Sequence, residues 1–310
     1  MRPKTVFTIL AMPALLGGVV LAQGTQIEAA RQFNTAHMTQ ASVARPNAAP
    51  GANTTGTETG DSFGVQEILQ DAGRTQPFRA FADISAFATN NVALTRQDRQ
   101  GDAFLLATFG FEYRRELPKG FQIEASVQYA TFRYNEYREL DFDSVDAGIG
   151  LNYHSGQLGG LDLFVRYNFN ELIASGENDA FFKNHTVTAG VQKTVSLGKA
   201  HAVYAGISGQ IAWSDPRIAE RSELSGYAGY HVQATRHLEG DLQYRYGYLH
   251  YDEQDRADHN HALSASLRYR FTEWLTASAS SYVAWNRSDD EVFNYGIANV
   301  GGGLTLHLQF

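Results

Sequence analysis

Residues 120–129 read Gly120-Phe-Gln-Ile-Glu-Ala-Ser-Val-Gln-Tyr129. Phe121, Ile123, Ala125, Val127 and Tyr129 alternate with Gln122, Glu124, Ser126 and Gln128. Successive side chains on a strand point to opposite faces, so this stretch has one apolar and one polar face. Soluble strands average about 5–6 residues. A tilted strand that crosses a bilayer needs about 9–11. The alternation therefore predicts a strand long enough to span a membrane.

The same pattern recurs from Pro77 to Phe310. It predicts twelve strands over 78–89, 103–115, 120–133, 143–154, 160–171, 185–195, 201–213, 222–234, 240–251, 260–271, 274–286 and 295–310. Connections after the even segments are short, as in Glu116-Leu-Pro-Lys119 and Thr272-Glu273. Those after the odd segments are mostly longer and more charged, such as Asn90 to Asp102 and Asp252 to His259. Short turns on one rim and long loops on the other form the layout of bacterial outer-membrane barrels. An even strand number puts both chain ends on the short-turn, periplasmic side. The expected fold is all-β: a transmembrane antiparallel up-and-down β-barrel of about 12 strands, with 10–14 compatible with the pattern.

The two faces differ in content. One carries Leu105, Ala107, Phe109, Phe111 and Tyr113, with equivalents such as Leu163, Val165 and Tyr167. Aliphatic residues lie mid-segment and aromatics near the ends, as in a lipid-facing band between aromatic girdles. The other face carries Glu112, Arg114, Glu124, Asp146, Asp162, Arg166, Asp241, Arg245, Arg268 and Arg270. These are the expected lumen or pore-lining residues. A soluble sandwich would invert the two faces.

Upstream, Arg2 and Lys4 precede an apolar run from Val6 to Ala22, which ends in Val-Leu-Ala before Gln23. That is the pattern of a signal peptide over residues 1–22. Residues 23–76 are rich in Ala, Thr, Gln, Asn and Gly and read as a disordered periplasmic tail. Within them Val65, Ile68 and Leu69 have helical spacing, so a short helix over 63–72 is a candidate plug.

Composition narrows the chemistry. The 310 residues include no Cys, which removes disulfides, cysteine zinc sites and thiol nucleophiles. The net charge of −8 argues against a nucleic-acid partner. The mean hydropathy of −0.32 is an average over lipid-facing, water-facing and tail residues. The acidic stretch Asp252 to His261 offers oxygen ligands but matches no known metal loop, so no metal or cofactor is expected. A lipid hydrolase would need His201 or His250 beside Ser281; no Gly-x-Ser-x-Gly elbow occurs, and no catalytic residues are assigned. His185, His231, His250 and His307 read as rim or lumen groups, and the strand glycines as sites of bending.

The last segment ends Leu304-Thr-Leu-His-Leu-Gln-Phe310. An amphipathic final strand that closes in Phe resembles the sorting signal of Gram-negative outer-membrane barrels. The resemblance implies that Phe310 is read by the barrel-insertion machinery. Residues 244–295 are similar to an uncharacterised group of β-barrel porins. The likeness rests on Tyr246-Gly-Tyr248, the Asp252 to Asp258 loop, Asn260-His261, Leu267-Arg-Tyr-Arg-Phe-Thr272 and Asn286-Arg-Ser288. It implies a barrel and a pore, and supplies no catalytic residues.

The leading expectation is a non-enzymatic, narrow porin-like channel for small polar or charged solutes, seated among outer-membrane lipid and lipopolysaccharide. The alternatives are a closed structural or adhesion barrel that acts through its outer loops, a lipid hydrolase and a passenger-exporting barrel.

Overall fold

A computed structural model of the chain describes residues 26, 27, 30, 31, 76–177 and 179–310. The expected leader over 1–22 and the 63–72 helix lie outside the described residues. Twelve strands follow one another: β1 (Phe78–Thr89), β2 (Asp102–Leu117), β3 (Phe121–Tyr134), β4 (Phe142–Ser155), β5 (Leu161–Ala174), β6 (Ala180–Ser196), β7 (His201–Asp215), β8 (Arg221–Gln233), β9 (Leu238–Tyr251), β10 (Arg256–Arg270), β11 (Leu275–Ser288) and β12 (Tyr295–Gln309). Each pairs antiparallel with its sequence neighbours, and β12 returns to β1. The result is a closed up-and-down barrel. Closure is completed at the chain terminus, where Phe310 and Phe78 exchange backbone hydrogen bonds of 3.1 and 3.2 Å. The Phe310 ring also lies 5.9 Å from Phe78 and 6.2 Å from Phe111.

Two strands begin earlier than their alternation. The sequence pattern starts β6 at 185 and β10 at 260, whereas the ladders start at Ala180 and Arg256. In these extensions Lys183 pairs with Asp215, and Asp258 with Leu249. Above the apolar belt the outward face no longer has to be apolar, so hydropathy stops alternating before hydrogen bonding does.

The outer surface carries the apolar belt. Phe109, Val127, Ile149, Val165, Ile207, Leu224 and Leu267 all project outward, and Ile207 is 60% exposed. Aromatic groups gather near the short-turn rim, as in the Phe121–Tyr153 pair at 4.6 Å and the Tyr269–Phe271 pair at 4.9 Å. A second band, nearer the long-loop rim, mixes tyrosine, tryptophan and histidine. There His261 stacks on Trp285 at 5.1 Å.

The inward glycines make room for their neighbours. In the β7–β8 ladder Tyr204 pairs with Gly229 and Gly206 with Tyr227. A Cβ on Gly229 would collide with the Tyr204 ring, and one on Gly206 would come 2.5 Å from Tyr227. The same holds across β5–β6, where Gly190 faces Phe164 at 2.5 Å. Each ring therefore lies against the opposite strand's backbone instead of standing into the lumen. Gly120 is different: its φ of +82°, and the 2.6 Å that would separate a Cβ there from the His154 carbonyl oxygen, are demands of a tight turn.

Val at Gly229 should overpack this site and lower stability by about 1–3 kcal/mol. The urea midpoint of the refolded barrel measures it. Restoring space with Tyr204→Ala in the same chain should return part of the loss, and an unchanged midpoint would refute the ring-on-glycine packing.

Candidate functional site

All ten of the predicted lumen residues project from inward positions of their strands. In the half nearer the short turns the charges meet as pairs. Arg79 reaches Glu112 at 3.4 Å on the neighbouring strand. Glu124 accepts from Arg166 at 2.6 Å and lies 3.8 Å from Arg114. The Glu124–Arg166 contact spans two strand spacings and passes over Gly150, which pairs with both residues. A Cβ at Gly150 would sit 2.8 Å from Glu124 Oε1. Asp162 bonds His154 at 2.6 Å.

On the opposite side of the barrel, Arg268 donates to Glu239 at 2.6 Å and to Asp241 at 2.8 Å. Asp241 also bonds His231 at 2.9 Å. At mid-height Asp146 accepts from Ser144 at 2.7 Å and from Asn170 at 2.8 Å. The structure pairs most of these charges along the wall, between strands one or two apart.

The outer half is built differently. Over β1–β6 the inward residues become apolar: Phe87, Phe104, Leu106, Phe132, Phe142, Leu172 and Phe182 belong to one cluster. Phe132 and Phe142 stack at 4.3 Å with 10° between planes. Over β8–β11 the wall is polar but dry. Arg245 pairs with Glu223, and Arg256 with Asp258 at 3.1 Å. The Arg256 guanidinium lies 3.8 Å from the Tyr251 ring and 3.6 Å from the Phe293 ring. Asn286 donates to Asp258 at 3.0 Å. Thus Asp258, read from sequence as part of a solvated acidic loop, faces inward and is 3% exposed.

The first outer loop folds into the mouth. Asn91 is fully buried, and its amide donates to the carbonyls of Thr95 at 2.7 Å and Gly296 at 2.9 Å. Val92 joins the β1–β6 cluster. Leu94 packs against Ala262, Ala284 and Ile297. The sequence signal was the apolar pair Val92 and Leu94 inside an otherwise polar loop.

Beneath this loop runs a cavity of about 900 Å³, lined by residues of β1–β3 and β9–β12. Its lower end is marked by Arg79, Glu112, Arg270, Glu273 and His307, its middle by Asp83, Ser266, Ser280 and Thr305, and its upper end by Val92, Leu94 and Tyr134. Arg270 makes no ion pair among the described residues. Arg79, Asp83 and Glu239 are wall residues that the sequence reading left out. Inward Phe81 and Phe87 blur the alternation of β1 and hid its polar register.

Histidine placement separates the remaining readings. His231 and His307 face inward, but His185 and His250 face outward. His185 bonds the Tyr167 hydroxyl at 2.7 Å, and His201 bonds Tyr230 at 2.5 Å. Ser281 is also outward, opposite Ala265 and Val300. The residue of β9 level with Ser281 is Leu242, eight positions from His250, or about 26 Å at strand rise. His201 stands four strands away on β7. No Ser–His dyad forms from these candidates. Among the described residues no group of three or more His, Cys, Asp or Glu is arranged to hold a metal.

No protein-family model and no curated protein matches the chain. Solved barrels do. An outer membrane channel from Pseudomonas putida F1 aligns at TM-score 0.53 and 8% identity, covering 74% of this chain and 95% of its own. The translocator domain of autotransporter NalP from Neisseria meningitidis aligns at TM-score 0.41 and 11% identity, covering 76% and 90%. An anion-selective porin from Comamonas acidovorans aligns at 0.40 and 9%, covering 74% and 98%. The first of these shares the closed antiparallel barrel fold of this chain.

Replacing Arg268 with Met leaves Glu239 and Asp241 without their cation in a largely buried setting. The expected loss is about 3 kcal/mol, read from equilibrium unfolding. Adding Glu239→Gln and Asp241→Asn should recover part of it. A neutral Arg268→Met would mean that lumen water already solvates both carboxylates.

Proposed function

We propose that the chain is an outer-membrane barrel that acts as a narrow porin-like channel for small polar or charged solutes. The carrying observation is the cavity of about 900 Å³, lined by charged and hydroxyl groups toward the short-turn rim and by apolar groups toward the other. Eight-stranded barrels are filled by side chains and 16–18-stranded ones leave a channel. Twelve strands leave room for a cavity on one side of the lumen only, because the other side is taken by Phe164, Arg166, Tyr204 and Tyr227. Arg79, Arg114, Arg268 and Arg270, with Glu112 and Glu239, line the path; Glu124, Asp162, Arg166, Asp241 and Arg245 brace its walls, and Asp146 does the same at mid-height.

In this reading the short-turn rim, where β1 begins and β12 ends, faces the periplasm. The belt around Ile207 contacts lipid, the outer Tyr–His–Trp band meets lipopolysaccharide, and Phe310 is the residue read by the insertion machinery. A closed barrel that acts through its loops is the second reading. The packed outer half of the lumen is the observation in its favour.

Refolded protein in planar bilayers separates them. Stepwise, ion-selective current supports the channel, and silence at every voltage sinks it. Arg270→Glu should shift selectivity toward cations, because the Arg270 charge stands at the cavity mouth and makes no ion pair among the described residues.

Lipid contact has its own check. Arg at Ile207, near mid-strand, should destabilise the barrel by about 2–4 kcal/mol in phospholipid vesicles. Arg tolerated there without cost would place the belt outside the bilayer.

A further inference from the structure

The apolar arc on β1–β6 faces a space that water would otherwise fill, and such a surface is unfavourable uncovered. Part of its cover comes from far upstream. Gln26, Ile27, Ala30 and Arg31 are helical. Ala30 is 2% exposed within the cluster, and Ile27 packs against it. Gln26, 4% exposed, donates its side-chain amide to the Leu140 carbonyl at 3.1 Å. The sequence placed these residues in a tail separate from the barrel. Their spacing puts Gln26, Ile27 and Ala30 toward one side of a helix, which suits them to an apolar wall with one carbonyl at its edge.

The seat is braced by bonds within the barrel itself. The Asp102 carboxylate accepts the backbone N–H groups of Glu136 and Tyr137 at 3.2 Å. Asp141 accepts the N–H of Tyr134 at 2.7 Å. These bonds fix the β3–β4 loop and present the Leu140 carbonyl inward.

We infer that Gln26, Ile27, Ala30 and Arg31 belong to a stopper, docked in the apolar arc at the outer end of the lumen and releasable from it. The docking stands on the contacts above, and its role as a stopper rests on the channel reading. The 46 residues from 32 to 77 are several times what is needed to span the barrel when extended, at about 3.3 Å each. Cleavage after Ala22 would leave the stopper next to a free chain end, so that it leaves its seat without unfolding a strand. With the stopper seated, the cavity ends under Val92, Leu94 and Tyr134. With it gone, the part of the arc that Ile27 and Ala30 cover is exposed.

The chain has no cysteine, so introduced thiols are the sole thiols present. Gln26→Cys with Leu140→Cys, treated with a short reducible bis-methanethiosulfonate, should cross-link in folded barrels. Gln26→Cys with Gly156→Cys, on a short turn at the opposite rim, should not. In planar bilayers the linked protein should carry less current than the same protein after reduction. Ile27→Asp in the otherwise unchanged chain should raise the open fraction roughly tenfold, as one buried aliphatic contact is lost. No link at Leu140, or an equal link at Gly156, overturns the docking. Equal currents before and after reduction overturn the stopper. A link at Leu140 with no current in any variant overturns the channel reading and leaves the docking in place.

Discussion

The β1–β12 ladder is the contact on which the molecule depends. It turns a twelve-strand sheet into a ring with no edge, so every strand interior finds its backbone partners within the chain. The ring commits each strand to a register, because a shift of one residue would exchange its inner and outer faces. Ile207 can face outward only if Gly206 and Ser208 face in. The terminal pairing of Phe310 with Phe78 is the last closure of that ring, and the two phenyl groups lie on its outer surface beside Phe111.

Closure also limits the lumen, and the sequence meets that limit with glycine. Gly150 lets Glu124 and Arg166 bond across an intervening strand. Gly229 and Gly206 let two tyrosine rings lie flat on the wall. The two uses have a common cause: inside a small ring, side-chain volume from one strand must be accommodated over its neighbour. Without the glycines, the same rings and charged groups would stand in the cavity. The expectation of bending at these positions identified the right residues and missed their reason.

Most of the architecture could be read from the order of residues, because alternation is a direct record of the two environments. Strand number, loop asymmetry and the inward register of all ten charged residues follow from it. What escaped were features without a period. Inward Phe81 and Phe87 contradict the rule that the lumen is polar, since a lumen can be dry at one end. The outer ends of β6 and β10 lose alternation where the outer environment changes. The inward fold of the first outer loop depends on Asn91 bonding to Gly296, a partner 205 positions away. The side-chain pairing of charges depends on register and on glycine gaps together, and no single segment records either.

The two halves of the lumen impose opposite conditions on anything inside it. In the lower half, paired charges and hydroxyl groups line the cavity, and a polar solute there exchanges water for wall groups at little cost. In the upper half Arg256 and Asp258 form an ion pair within the wall, while Phe104, Phe132 and Phe142 offer no side-chain hydrogen bond. Such a zone opposes ions and polar solutes by dewetting rather than by charge. The barrier therefore belongs to the outer end, and its height depends on what covers the aromatic arc. Val92 is tethered there by a loop bonded into the barrel wall. Ile27 and Ala30 pack on the same arc from outside the strands, and in the proposed reading they are the part of the cover that leaves.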